Sequence, residues 1–303
     1  MNVRAALQQA VAELESSGVP SHGLAAELLL QHTLGHDRAW LYAHPEEEVA
    51  EGDAQHFRKL VARRAGGTPT QYLTGKQEFW GIEFHVGPGV LIPRPETEHV
   101  VEVALSRLKP KTQPEKSDLS VRRERAGRGL RIADVCTGSG CLAVALAREV
   151  PQARIWATDV SRAALTIAWR NAVRYDFEAR IEFIEASLLT PFLLGGEAQN
   201  VVPFDLIVSN PPYVAREALA GLAREVRDHE PHEALVAGET GLEVFRPLIR
   251  QAEKVLAPGG ALVLEVGAGQ AGDVRALHGE GWTDISVTND LAGIGRVVSA
   301  MRG

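Results

Sequence analysis

The sequence is poor in cysteine and has no long hydrophobic run. Cys136 and Cys141 are the only cysteines among its 303 residues, too few for a disulfide framework or a thiolate zinc site. The longest apolar runs, such as "ALVLEV", are the length of a strand, well short of the ~20 residues of a membrane-spanning helix. The N-terminal stretch "MNVRAALQQAVAELESSG" lacks the apolar core of a signal peptide. These absences predict a cytoplasmic protein without a membrane segment.

The chain also lacks the positive charge that is typical of general nucleic-acid binders. Its formal net charge is −7, which argues against stable nucleic-acid binding. The exception is the segment 107–131, where nine Lys/Arg and three Asp/Glu leave −13 on the rest of the chain. This segment has almost no apolar residues, which predicts a flexible basic linker rather than part of a folded core.

The first 73 residues show helical periodicity and no strand pattern. Apolar residues recur at helical spacing from Val3 through Leu7 and Val11 to Leu14, and further periodic stretches follow. Ser21 is an N-cap candidate, and Gly35 is placed to end a helix. Residues 1–73 are therefore predicted to form a small all-α domain.

The pattern changes twice after this domain. Residues 74–95 alternate and are interrupted by glycines, which predicts a β-hairpin acting as a hinge. From 96 to 303 apolar strands alternate with periodic helices, and two closely spaced strands at the end suggest an antiparallel pair. This alternation predicts an α/β domain with a doubly wound, Rossmann-like sheet and ligands at the carboxyl ends of its strands.

A glycine-rich turn, "DVCTGSGCLA", joins the first strand of that sheet to a helix. Gly138 and Gly140 let the backbone approach a ligand closely, and Asp159 ends the next strand, where a ribose-binding carboxylate is expected. A nucleoside cofactor is therefore predicted. Because Gly138-x-Gly140-x-x-Ala143 also satisfies the dinucleotide fingerprint, this motif leaves both NAD and S-adenosylmethionine open.

The stretch "VSNPPYV" follows the buried strand "FDLIV". Two prolines must end the strand and hold Asn210 in an extended pose. The Asn210 side-chain carbonyl and a proline-flanked backbone carbonyl can accept both hydrogens of a planar NH₂ group, while Tyr213 covers its face. Such a site orients a nitrogen toward an incoming methyl group, which favours S-adenosylmethionine over NAD.

Taken together, these motifs resemble the HemK/PrmC family of release-factor glutamine N5-methyltransferases. The resemblance rests on "GTPTQYLTGKQEFWGIEFHV", "LIPRPETE", the glycine-rich turn, "NPPY" and "EPHEALVAGETGL". It implies a seven-stranded class I methyltransferase domain over 96–303 and methyl transfer to the glutamine of the Gly-Gly-Gln motif in class 1 peptide-chain release factors. It also implies that S-adenosylhomocysteine is the product.

The resemblance assigns roles to individual residues. The residues expected to bind the cofactor are Asp134, Cys136, Thr137, Gly138, Ser139, Gly140, Asp159, Ser187, Leu188 and Asn210. The substrate glutamine is expected to lie against Asn210, Pro211, Pro212 and Tyr213, of which Asn210, Pro211 and Tyr213 are the predicted catalytic residues. No metal is expected, because methyl transfer from a sulfonium needs none, and the chain is expected to be a monomer.

The chain departs from the family at Cys136, where glycine is usual, and in a longer basic segment. Three other functions share part of this pattern. An adenine-N6 methyltransferase acting on DNA or RNA shares "NPPY" but calls for a broad basic face. A non-catalytic adaptor predicts degraded motifs, whereas "NPPY" and Asp159 are intact, and an NAD oxidoreductase lacks an assignable catalytic residue. "DHEPHE" could suggest a metal site but is interpreted as a loop beside the cofactor.

Overall fold

The computed structural model describes residues 1–108, 129–194 and 200–303. It divides into two compact units, each with its own buried core. The helical unit comprises Met1–Lys76, Val86–Pro88 and Leu222–Glu230, and the sheet unit comprises Gln77–His85, Gly89–Gly221 and Pro231–Gly303. Within the described ranges, no helix is both long and apolar enough to cross a membrane.

The helical unit confirms the predicted all-α character of the N-terminal region. Its helices are α1 (Val3–Ser16), α2 (His22–Leu34), α3 (Arg38–Ala43), α4 (Glu51–Ala65) and α5 (Thr70–Thr74), with Arg224–His229 contributing a further helix, α9 in chain order. The buried face of α1 carries Val3, Ala6, Ala10 and Leu14. Leu7 and Val11, which the sequence pattern also placed on the apolar face, lie at its edge.

The ends of the first helices follow their capping residues. The side chain of Asn2 accepts a 2.9 Å hydrogen bond from the Ala5 amide at the start of α1, and Gly35 ends α2 in the left-handed conformation, with φ 69°. Ser21 precedes α2, but its side chain makes no capping hydrogen bond. Its φ of 51° places it in the left-handed region rather than the extended conformation that capping needs.

The predicted β-hairpin is present. Strands β1 (Lys76–Phe79) and β2 (Ile82–His85) form a two-stranded sheet. Its turn residues Trp80 and Gly81 both have positive φ, 55° and 68°, as a tight hairpin turn requires. Residues 77–85 belong to the sheet unit, and a hinge role for this hairpin stays a prediction.

The sheet unit is built on a seven-stranded sheet in the order β10-β11-β9-β6-β3-β4-β5. Its strands are β3 (Leu130–Val135), β4 (Ala153–Asp159), β5 (Ile181–Glu185), β6 (Phe204–Ser209), β9 (Leu256–Glu265), β10 (Trp282–Asn289) and β11 (Gly295–Arg302). Neighbouring strands from β9 to β5 are parallel, whereas β11 is antiparallel to both β9 and β10. The predicted Rossmann-like sheet and its terminal antiparallel pair are confirmed. A small parallel pair, β7 (Val214–Ala215) with β8 (Val236–Gly238), lies outside this sheet.

Helices cover both faces of the sheet. They are α6 (Glu98–Leu108), α7 (Cys141–Glu149), α8 (Arg162–Arg174), α11 (Phe245–Val255) and α12 (Ala271–Ala276), whereas α10 (His232–Leu235) contacts β8. Short 3₁₀ turns span Pro95–Thr97, Thr190–Phe192 and Arg216–Gly221. Ile132 lies in one buried cluster and Ala133, its neighbour on β3, in the other. Because consecutive residues of a strand point to opposite faces, the central strands are buried on both sides.

The predicted basic linker 107–131 is too wide at both ends. Arg107 is the penultimate residue of α6, where its guanidinium donates hydrogen bonds of 2.7 Å to Ser286 Oγ and 2.9 Å to Ser299 Oγ, and β3 starts at Leu130. These hydroxyls and the Asp284 carboxylate are the partners of the Arg107 guanidinium. The rest of the predicted linker, 109–128, lies outside the described residues.

Candidate functional site

A cavity of ≈ 310 Å³ opens within the sheet unit at the carboxyl ends of the parallel strands. This size is in the usual range for small-molecule sites, roughly 300–1,000 Å³. Nine of the predicted site residues line it: Cys136, Thr137, Gly138, Ser139, Asp159, Ser187, Leu188, Asn210 and Pro212. Asp134, Gly140, Pro211 and Tyr213 lie outside its lining. Thr97, from the "PRPETE" segment, also lines the cavity and had no predicted role.

The glycine-rich turn is shaped by three residues with positive φ: Cys136 at 59°, Gly138 at 54° and Gly140 at 79°. A Cβ built on Gly138 would meet no atom of the described residues within 4 Å, so the turn is open at this point. A Cβ on Gly140 would lie 3.0 Å from Ala168 Cβ, so a glycine here lets α8 pack against the turn. The conformation of Cys136 favours glycine, in agreement with the glycine expected here from the resemblance.

Asp134 lies behind the turn rather than in the cavity. It is fully buried, and its Oδ2 accepts hydrogen bonds from Thr137 Oγ1 at 2.6 Å and from the Ala143 amide at 3.0 Å. Burial raises the pKa of Asp134 to about 7, although these two hydrogen bonds favour the charged form. The carboxylate therefore joins the turn to α7.

Asn171 is a structural residue of the site that the sequence did not reveal. This fully buried side chain donates to the backbone oxygens of Ser139, at 2.8 Å, and His85, at 3.0 Å. Its Oδ1 accepts from the His85 amide at 2.7 Å. Asn171 thus holds the glycine-rich turn and strand β2 on α8. The sequence signal for this role was a polar residue, Asn171, on the face of α8 that also carries Ala168 and Ala172.

Asp159 ends β4 beside the turn, as predicted. Its Oδ2 accepts from the Gly138 amide and its Oδ1 from the Ser161 amide, both at 2.9 Å. Burial raises the pKa of Asp159, and these hydrogen bonds oppose that shift. Each carboxylate oxygen has two lone pairs, so both can accept a further hydrogen bond from a ligand diol.

The "NPPY" segment follows β6, which ends at Ser209 as predicted. Asn210 Nδ2 donates to Thr97 Oγ1 at 3.1 Å. Asn210 Oδ1 is buried and has no hydrogen-bond partner among the described residues. A buried acceptor without a donor is costly, so this oxygen is suited to receive an N–H group from a ligand.

Tyr213 turns its phenol toward Glu265 rather than into the cavity. Its hydroxyl donates to Glu265 Oε1 at 3.3 Å, and its backbone oxygen accepts from Gln270 Nε2 at 2.9 Å. Burial, followed by the Glu265 charge, raises the pKa of Tyr213 well above its ordinary value, so the phenol stays protonated. Tyr213 shapes the loop from behind Asn210.

Glu265 is a third residue without a role predicted from the sequence, after Thr97 and Asn171. It ends β9 and is 2% exposed. Burial raises its pKa to about 7, while the hydroxyls of Thr97 and Tyr213 beside it favour the charged form. An acidic residue at the end of the apolar run "ALVLE" was the available signal, because the carboxyl ends of parallel strands carry ligand-binding groups.

Known proteins match the chain along nearly its whole length. A family profile described as "PrmC N-terminal domain" matches residues 5–75, and "Methyltransferase small domain" matches residues 118–226. The release factor glutamine methyltransferase of Koribacter versatilis is 41% identical over 98% of both chains. That of Deinococcus radiodurans is 39% identical over 100% of this chain and 99% of its own. The chain belongs to the release factor glutamine methyltransferase family.

Membership of this family confirms the resemblance inferred from the motifs. Solved structures with similar folds are more distant. The ribosomal protein L11 methylase of Lactobacillus delbrueckii is 22% identical over 69% of this chain and 80% of its own, with a TM-score of 0.44, and family membership does not rest on it. The roles of individual residues in the cavity remain predictions.

Among the described residues, no group of three or more His, Cys, Asp or Glu is arranged to hold a metal ion. In "DHEPHE", Glu233 lines the cavity.

Proposed function

We propose that this protein transfers a methyl group from S-adenosylmethionine to the side-chain amide nitrogen (N5) of a glutamine in a release factor. The substrate residue is the glutamine of the Gly-Gly-Gln motif in class 1 peptide-chain release factors. The observation that carries the proposal is the buried Oδ1 of Asn210 in the cavity wall, which has no hydrogen-bond partner in the described parts of the chain. Family membership supplies the substrate class, and the enzyme is proposed to act in the cytoplasm as a monomer.

The residues of the cavity suit the nucleoside of the cofactor. Asp159 would accept hydrogen bonds from the ribose hydroxyls, and the open backbone at Gly138 leaves room for close approach. Cys136, Thr137, Ser139, Ser187 and Leu188 would complete the walls. When bound, S-adenosylmethionine supplies an electrophilic methyl group on a sulfonium, and its transfer leaves S-adenosylhomocysteine and releases one proton from the methylated nitrogen.

The chain's own residues would act on the glutamine amide. Its nitrogen is a weak nucleophile because the lone pair is delocalised into the carbonyl, so orientation and exclusion of water must supply most of the rate enhancement. Asn210 Oδ1, in the cavity wall, would accept one amide N–H and direct the nitrogen toward the methyl group. The backbone oxygen of Pro211 is the proposed second acceptor, although Pro211 itself lies outside the cavity lining. Pro212, in the cavity wall, would limit the width of the slot.

Mass spectrometry of a release factor co-expressed with and without this protein tests the proposal. We expect the tryptic peptide that contains Gly-Gly-Gln to gain the mass of one methyl group only in the presence of the enzyme. Methylation of adenine in nucleic acid, with an unmodified release factor, would instead support the adenine-N6 alternative.

The Asn210→Asp variant tests the grip on the amide. It keeps the shape of the side chain but replaces the group that donates to Thr97 with a charged oxygen. We expect methylation to fall roughly a hundred- to thousand-fold, about 2.7–4 kcal/mol, as when one well-placed polar group is lost from an active site. Calorimetry of the same variant should give a much smaller change in cofactor affinity. Methylation within about threefold of the parent, below 1 kcal/mol, would contradict the proposed grip.

A further inference from the structure

We propose that Gln270 is a positioning residue for the substrate amide, because it holds the main chain of Tyr213 and thereby fixes the pose of Asn210 in the cavity wall. This inference deepens the proposed function and rests on it, since it concerns the same grip on the substrate glutamine. Gln270 immediately precedes α12, on the segment that follows β9, and it does not line the cavity. It acts on the reaction through the "NPPY" segment.

The side-chain amide of Gln270 bridges two backbone groups. Its Nε2 donates to the Tyr213 backbone oxygen at 2.9 Å, and its Oε1 accepts from the Gly267 amide at 3.0 Å. A backbone N–H only donates and a backbone carbonyl only accepts. These two partners therefore determine which end of the Gln270 amide is oxygen and which is nitrogen, and only its NH₂ group can hold Tyr213.

Two glycines leave the space that this bridge occupies. A Cβ on Gly241, where φ is 80°, would lie 2.5 Å from the Tyr213 backbone oxygen and 2.6 Å from Gln270 Nε2. A Cβ on Gly267 would lie 2.6 Å from Gln270 Oε1 and 3.1 Å from Tyr213 Cδ2. Non-bonded carbon atoms pack at about 3.5–4.0 Å, so a side chain at either position would displace Gln270 or Tyr213. The segments "NPPY", "GETGL" and "VGAGQ" thus meet at one carbonyl.

The "NPPY" segment passes a constraint at Tyr213 on to Asn210 because the segment is stiff. Its two prolines have a fixed φ, and each restricts the residue before it. At the near end, Ser209 is fixed to the sheet, where its hydroxyl donates to the Val135 backbone oxygen at 2.6 Å. At the far end, β7 and β8 pair with an irregular register, so the bond from Gln270 supplies the second anchor. A stiff segment anchored at both ends holds Asn210 Oδ1 in one place.

Two substitutions at Gln270 separate the donated hydrogen bond from packing. Gln270→Glu keeps the size of the side chain and the acceptor for Gly267 but places an acceptor against the Tyr213 oxygen, whereas Gln270→Ala removes both contacts and lets water reach that oxygen. We expect kcat for methylation of a release factor to fall roughly tenfold or more in Gln270→Glu and less in Gln270→Ala, since two facing acceptors leave each other without a donor. A role in packing alone predicts the reverse order, because glutamate fills the same space. KM for the release factor should change less than threefold.

Gln251→Glu is the matched control. Gln251 is another half-buried glutamine of the sheet unit, and its Oε1 accepts from the Leu189 amide at 2.9 Å. Glutamate keeps that acceptor, so kcat of this variant should stay within about twofold of the parent value. An equal loss of kcat in Gln251→Glu and Gln270→Glu would assign the effect to the added charge and overturn the positioning role.

Combination with Asn210→Asp shows whether Gln270 acts through Asn210. In the Asn210→Asp variant the proposed grip is already lost, so the additional change Gln270→Glu should lower kcat less than threefold further. Effects of residues that do not depend on each other multiply in rate, whereas effects of coupled residues do not. A full tenfold further loss would show that Gln270 acts independently of Asn210.

Calorimetry with S-adenosylhomocysteine and the melting temperature of each variant report on the cofactor site and the fold, and both should stay close to those of the parent. A loss of cofactor affinity that parallels the loss of kcat, a milder effect of Gln270→Glu than of Gln270→Ala, or independent losses with Asn210→Asp would each overturn the positioning role. Failure of the parent enzyme to methylate a release factor would instead overturn the proposed function, which keeps the two failures distinct.

Discussion

Replacing Asp159 with alanine is the most direct test of the cofactor site. The carboxylate ends β4, and each of its oxygens already accepts one backbone N–H at 2.9 Å, from Gly138 and from Ser161. Asp159→Ala therefore removes two supports of the turn in addition to the proposed ribose contacts. A simple loss of affinity would not separate these effects, so the measurement has to isolate the ribose.

The expected size of the ribose contribution follows from the state of the carboxylate. Burial raises its pKa, and the two backbone hydrogen bonds oppose that shift. Hydrogen bonds to charged groups contribute about 1.5–3 kcal/mol. We expect about 2 kcal/mol from the ribose, roughly a 30-fold weaker Kd, with any loss of turn geometry in addition.

Calorimetric titration with S-adenosylhomocysteine and with its 2′-deoxy analogue separates the two contributions. In the parent protein, the deoxy analogue should bind about tenfold or more weakly, whereas Asp159→Ala should bind both ligands equally. Glu185→Ala is a matched control, because Glu185 is a carboxylate at the end of the neighbouring strand β5 and does not line the cavity. If Asp159→Ala still prefers the ribose ligand by the parental factor, the ribose does not contact Asp159.

Two further predictions concern stability. Because the pKa of Asp134 is raised to about 7 from about 3.9 in the unfolded chain, the parent should lose stability from this group as pH rises from about 4 to 7. Asp134→Asn should therefore gain about 2 kcal/mol of unfolding free energy relative to the parent between pH 5 and pH 7; urea titrations showing a constant difference would contradict this. Gly140→Ala should cost about 1–3 kcal/mol, because φ is 79° and Ala168 Cα lies 3.1 Å from the added Cβ, whereas Gly138→Ala, with no atom in reach, should destabilise less. Equal melting temperatures of the two glycine variants would refute the packing role of Gly140.

The parts of the fold that sequence could predict are those with a local signal. Strand "FDLIVS" is buried at every position, and two prolines follow it, so both its existence and its end were predictable. The hairpin of β1 and β2 was predictable because the glycine of its turn interrupts an alternating pattern in the sequence. The prediction that Ser21 caps α2 was wrong because of its backbone conformation. That conformation depends on the preceding turn, for which the sequence carries no local signal.

The candidate site was predictable where one motif holds it and unpredictable where distant segments meet. Gly138 and Asp159 follow from strand ends and spacing. The Asn210–Thr97 hydrogen bond joins residues 113 positions apart, and Asn171 reaches His85 across 86 positions. Glu265 meets the Tyr213 hydroxyl only because β9 lies beside β6 in the sheet. Long-range contacts of this kind depend on strand order, which periodicity does not specify.

Several energetically unfavourable features lie at the carboxyl edge of the sheet. Asp134, Asn210 and Glu265 each carry a buried oxygen without a hydrogen-bond partner in the described ranges, at the ends of β3, β6 and β9. Cys136 and Leu188 have positive φ, 59° and 52°, which costs non-glycine residues about 1–3 kcal/mol each. An unsatisfied buried polar group costs a similar amount. A sheet selected for stability alone would remove these features. Cys136, Leu188 and Asn210 line the cavity, which indicates that the unfavourable features at these three positions are retained for the ligand it binds.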